Sequence, residues 1–91
     1  MIRNFKCKNT EKLYNGKFVR QFSGVGRQAE RRLRLLNEAE ALKELEGFPS
    51  NRFEKLMGDR KGQYSISINM QWRICFKWDD EPYDVEIIDY H

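Results

Sequence analysis

The sequence predicts an α+β domain, with N-terminal helices packed on one face of a small antiparallel sheet. Three observations carry this. Apolar residues recur at helical spacing up to about residue 46 and at a spacing of two beyond residue 53. Helix-stopping residues, Gly47 and Pro49, stand between the two regimes. The whole chain is 91 residues, a length that allows one domain, residues 1–91, whose small core buries roughly 60% of the unfolded surface.

In chain order, Met1–Lys6 reads as a short edge strand with Ile2 and Phe5 as its apolar residues. Thr10 is suited to cap a short helix running to about Tyr14, closed by the Asn15-Gly16 turn. Ser23-Gly24 precedes a longer helix. Along it Ala29, Leu33 and Leu36 form an apolar stripe, Leu35, Ala39 and Leu42 adjoin it, and Arg27, Arg31 and Arg34 share the wetter face. Asn37 is placed to split this stretch by capping a second helix, Glu38–Glu46. A short strand is expected at Phe53–Leu56. Tyr64, Ile66, Ile68 and Met70 then alternate with Ser65, Ser67 and Asn69, and Trp72, Ile74, Phe76 and Trp78 alternate with Arg73, Cys75 and Lys77. A tight turn at Asn69–Gln71 makes these two strands a hairpin. After a turn at Asp79–Pro82, Asp84–Asp89 is the last strand.

Composition narrows the function classes. Hydrophobic residues are 40% and aromatics 13%, as in a packed globular protein. No apolar run is long enough for a membrane span or a signal-peptide core. The two cysteines, Cys7 and Cys75, are isolated, so the reading is a cytoplasmic protein without a disulfide framework or a cysteine-based zinc site. Residues 1–34 hold ten Lys/Arg against two acidic residues, and residues 35–91 hold seven against twelve. A basic half (+8) is thus joined to an acidic half (−5), an asymmetry that suits a polyanionic partner or, more plainly, a soluble helix face.

Few side chains are left to carry chemistry. By strand parity Arg73 points away from Trp72, Ile74 and Phe76. His91 is the sole histidine and follows Asp89 and Tyr90. Asp59-Arg60-Lys61-Gly62 brings charge to the turn before the 64–70 strand. Such a set fits phosphodiester cleavage in RNA, where the 2′-hydroxyl is the nucleophile. The protein then supplies a base, an acid and cations. Histidine titrates near neutrality, arginine grips phosphate oxygens in pairs, and a tyrosine ring stacks on a base. The plain alternatives are an exposed strand arginine and an inert terminal histidine. Gly24-Val25-Gly26 lacks the rest of a phosphate loop, and one histidine without clustered cysteines argues against a metal or other cofactor. A Cys75–His91 dyad is conceivable, but a small packing cysteine is the simpler reading.

Three stretches resemble the HigB ("host inhibition of growth") toxins of the RelE superfamily. They are Asn51–Leu56 with Gly58-Asp59-Arg60-Lys61-Gly62-Gln63-Tyr64-Ser65-Ile66, then Asn69–Trp78 with its Gln71-Trp72-Arg73-Ile74 core, then the ending Asp84–His91 with Asp89-Tyr90-His91. Gln28–Leu33 extends the likeness upstream. The resemblance implies a RelE-like microbial ribonuclease fold: a curved antiparallel sheet with helices on one side and a basic, concave active face. It implies a ribosome-dependent endoribonuclease that cleaves mRNA in the A site. It implies a HigA-like helix-turn-helix antitoxin as partner, through which operator DNA is contacted indirectly. It assigns His91, Arg73, Tyr90 and Asp89 to catalysis and Arg60 to RNA contact or to bracing the site. Lys61 and the helix-face residues Arg27, Arg31 and Arg34 join Arg60 as candidate RNA-binding cations.

One departure bears on rate. Many relatives carry a lysine or histidine just before Gly-Asp-Arg and some a histidine three residues earlier; here these positions are Met57 and Glu54. Loss of one transition-state contact costs on the order of a hundredfold, about 3 kcal/mol, so a mild toxin is expected. Glu54 is a candidate base or, more simply, a surface residue or a partner for Lys55 or Arg60. The alternative function is a non-catalytic module that binds RNA or antitoxin.

Overall fold

A computed structural model describes residues 1–89. Three helices, α1 (Lys8–Tyr14), α2 (Gly26–Glu38) and α3 (Leu42–Glu46), precede four strands, β1 (Glu54–Lys55), β2 (Tyr64–Ser67), β3 (Trp72–Trp78) and β4 (Pro82–Asp89). The strands form one antiparallel sheet in the order β1-β2-β3-β4. This is the α+β arrangement the change of period predicts. Among the described residues no helix is long and apolar enough to cross a membrane.

The period-2 pattern of β2 and β3 explains the core. Ile66 pairs with Ile74, and Ile74 with Ile87, so three buried side chains line one face of the sheet. Ala29, Leu33 and Leu36 of α2 and Phe22 join one core with this face, to which Phe76 and Val85 also belong. Burying such aliphatic and aromatic side chains stabilises the fold by roughly 1.5–3 kcal/mol each. The opposite sheet face carries Ser65, Ser67, Arg73 and Cys75, all buried as well.

Several elements depart from the expectations, each for a visible reason. Met1–Lys6 forms no strand but a single parallel bridge, Phe5 to Val85. Its polar groups serve β4 instead. Asn4 accepts from the Asp84 N–H through Oδ1 (2.9 Å) and donates to the Asp84 carboxylate (3.1 Å). The register of β3 on β4 shifts between Cys75 and Lys77, with Asp84 at φ 50°. A short polar side chain tolerates this left-handed bulge.

Thr10 lies within α1, behind the cap position Cys7, and its Oγ1 accepts the Ile87 N–H at 3.0 Å. A hydroxyl thus satisfies an edge-strand donor that no further strand reaches. Thr10→Val keeps the shape and removes that acceptor. The expected result is a loss of about 1–3 kcal/mol, read as a fall in Tm of about 4–8 °C per kcal/mol. An unchanged Tm would show that water replaces the hydroxyl at no cost.

Asn37 does not cap a second helix. α2 runs through Glu38, α3 starts at Leu42, and Asn37 Oδ1 accepts the Ile2 N–H at 2.8 Å. Met70 does not continue the buried stripe of β2: it is 84% exposed in the hairpin turn. There Asn69 Oδ1 accepts the N–H groups of Gln71 and Trp72, each at 2.8 Å, a side-chain turn that ends the strand pairing.

Candidate active site

The hairpin and its two flanking strands build a polar cluster on the sheet face away from the helices. Arg73 is its centre and is only 6% exposed. Its Nε donates to Ser65 Oγ at 2.8 Å, and its Nη2 donates to the carbonyl oxygens of Arg52 and Ser65. Nη1 stands 3.7 Å from Glu54 Oε1. These acceptors fix the plane of the guanidinium, which leaves an arginine pre-organised for oxyanions. Arg52 supplies its carbonyl from a left-handed conformation, φ 44° and ψ 52°, at the step from the Pro49–Asn51 turn into β1. Asn51, fully buried, anchors that step by donating to the Leu45 carbonyl (3.1 Å) and accepting from Arg32 of α2.

A second pairing lies alongside. Arg60 bonds to Gln63 Oε1 (3.1 Å) and to Glu86 Oε1 (3.2 Å), while Lys6 approaches Glu86 Oε2 at 3.6 Å. Among the described residues the face therefore carries paired charges, Arg73–Glu54 and Arg60–Glu86 among them, rather than a purely basic surface. A cavity of about 390 Å³ is lined by Glu54, Lys55, Leu56, Met57, Asp59 and Arg60. Met57, 73% exposed, stands at its rim. Lys61 is exposed, next to Arg60.

Burial above all, aided by Glu86 and opposed mainly by Arg60, pushes the Cys75 thiol up to about 11. At neutral pH it is a protonated packing group, not a thiolate nucleophile. Among the described residues no three His, Cys, Asp or Glu side chains gather as a metal-binding group.

Of the residues singled out in the sequence, the structure brings Arg73 and Arg60 to one face. Asp89 pairs in register with Trp72, not Arg73, and its Oδ2 accepts from the Gln71 amide at 3.1 Å. Parity puts it with Trp72 on the other face of the sheet. Tyr90 and His91 lie outside the described residues. Arg27, Arg31 and Arg34 are exposed on α2, in the helical layer behind the sheet. Arg34 pairs with Glu30 (3.0 Å) and lies over the Tyr14 ring.

Sequence reasoning missed Ser65 and Glu86, and named Lys55 and Arg60 as partners for the exposed Glu54, which faces Arg73. The signal was present as parity: in an antiparallel hairpin closed at Asn69–Gln71, residues 65 and 73 lie diagonally on one face. The partner of Arg73 on β1 depends on a pairing, Glu54 with Ser65, that no local pattern specifies.

A helix-backed antiparallel sheet bearing a buried, oriented arginine fits the class of small RelE-like toxins. The chain belongs to the RelE-like toxins of HigB type II toxin–antitoxin systems, whose family model matches residues 3–91. It is also similar to the curated protein "Toxin HigB-1" of Vibrio cholerae serotype O1 (strain ATCC 39315 / El Tor Inaba N16961). The two are 37% identical over 82 residues, covering 88% of this chain and 86% of the relative. A type II toxin has a protein antitoxin as its partner.

Proposed function

We propose that this toxin is a ribosome-dependent endoribonuclease that cuts mRNA in the A site, acts in the cytoplasm, and is neutralised by a HigA-like helix-turn-helix antitoxin. The observation that carries the reading is Arg73: a buried guanidinium aimed by fixed acceptors, with a half-exposed carboxylate, Glu54, as its ion-pair partner. A scissile phosphate exchanges with that carboxylate and receives the fork of the arginine. The 2′-oxygen attacks phosphorus, the 5′-oxygen leaves, and a 2′,3′-cyclic phosphate forms. His91 moves the proton, Tyr90 stacks on a base, and Asp89 belongs to the same terminal segment. Arg60 and Lys61, beside the cavity at Met57, hold the adjoining backbone. Arg27, Arg31 and Arg34 stand on α2 behind the sheet, away from the scissile phosphate.

Inducing the protein in growing cells and mapping mRNA 5′ ends tests this. New ends in register with codons are expected; unaffected growth with no new ends would falsify it. One observation favours a second reading, a toxin that binds without cutting: Met57 and Glu54 put no cation where the family often has one. A binder keeps its phenotype in His91→Gln, whereas a nuclease loses it.

The exchange at Arg73 makes a further prediction. Glu54→Gln removes the competing charge without removing bulk. An ion pair with one half-exposed partner is worth about 0.2–1 kcal/mol, so cleavage should rise about two- to fivefold at limiting toxin. A fall in rate would instead make Glu54 a catalytic base.

A further inference from the structure

The helical layer carries a groove that the RNA chemistry does not use. It runs between α2 and the segment from α3 to Phe48 and encloses about 390 Å³. Leu35, Ala39, Leu45 and Phe48 form its apolar surface, with the Phe48 ring 55% exposed. Along α2, Arg31 and Arg34, the latter paired with Glu30, precede Glu38, and the Glu44 carboxylate lies just past the helix end. That carboxylate is turned back to accept the Glu40 N–H at 3.1 Å.

We propose that this groove is the docking site for an amphipathic helix of the antitoxin. The proposal deepens the partner reading above and rests on it. Arg31 and Glu38 are seven residues apart on α2, roughly 10 Å along the axis, which matches two turns of an incoming helix. Apolar side chains at i, i+3 or i+4, and i+7 of that helix fill the groove. Its acidic residues lie over Arg31 and Arg34, and its basic residues over Glu38 and Glu44. This dipolar rim fixes the direction in which the helix lies. RNA does not fit: the surface is apolar and two carboxylates repel phosphate. A second copy of this chain fits poorly, because a two-fold contact sets one concave groove against another and leaves the volume unfilled. The groove lies in the helical layer, across the sheet from Arg73, so the antitoxin holds the toxin without covering the polar cluster.

The test uses the full chain and the antitoxin of its own operon. Binding is measured by calorimetry in an Arg73→Lys background, chosen so that cells tolerate the protein. Phe48→Asp alters an exposed side chain, and unchanged circular dichroism and Tm verify the fold. It should weaken antitoxin binding at least a hundredfold, Arg31→Glu about tenfold, and Arg60→Ala, on the sheet face, less than threefold. Wild-type affinity in Phe48→Asp, or a large loss in Arg60→Ala, overturns the proposal. So does a dimer that Phe48→Asp dissociates while antitoxin binding persists. In cells with Arg73 intact, Phe48→Asp should arrest growth as the parent does but escape rescue by co-expressed antitoxin. If the parent itself fails to arrest growth, the nuclease reading fails, while the calorimetry still decides the docking surface.

Discussion

Arg73→Lys should cut mRNA cleavage at least a hundredfold while leaving the chain folded. Lysine keeps the charge but replaces a planar fork by a single rotating point, so it cannot serve Ser65, Arg52 and a phosphate at once. Loss of one pre-organised oxyanion contact is worth on the order of 10²–10³ in rate. Quantitative primer extension on mRNA from induced cells measures it. Arg73→Ala is the poorer test: it strips the Arg52 carbonyl and Ser65 hydroxyl of a buried donor, at about 1–3 kcal/mol for each unsatisfied group, and mixes folding with chemistry. If Arg73→Lys cleaves at the parental rate, the arginine is a strut of the sheet and the reactive phosphate binds elsewhere.

His91→Gln should lower cleavage by about 10²–10⁴-fold, the range for loss of a general acid or base, with little change in Tm. The grounds are chemical. His91 is the sole histidine in the chain, and imidazole is the side chain suited to moving a proton near neutrality. Cys75 offers no substitute, since burial keeps its thiol protonated. Full toxicity of His91→Gln would remove the terminal segment from the mechanism.

Much of the architecture was legible because it depends on local periodicity. The strand at Trp72–Trp78, the start of the Tyr64 strand, though not its end, and the stripe of Ala29, Leu33 and Leu36 follow from spacing alone. What was not legible depends on partners distant in sequence. Thr10 looked like a helix cap because its use by Ile87 is 77 residues away. Asn37 looked like a cap because its bond to Ile2 spans 35 residues. The same limit applies at the site. Arg73 stood out as a polar residue among buried neighbours, but the carboxylate facing it is set by β1, a two-residue strand whose position rests on the Asn51–Arg52 turn.

The pinned bulge in β4 has a consequence for synthesis. β4 is the last of the four strands to be made, and residues 3–6 bond to it across about 80 positions through Pro82, Asp84 and Val85. Until β4 emerges, the first segment has no mate, β3 lacks its second neighbour, and Glu86 cannot brace Arg60. Contacts of such span form late and slowly. The helical layer, α1 to α3, precedes the strands in the chain and leaves the ribosome first. On the docking proposed above, a growing chain therefore presents residues 31–48 of its groove before its sheet face can be completed.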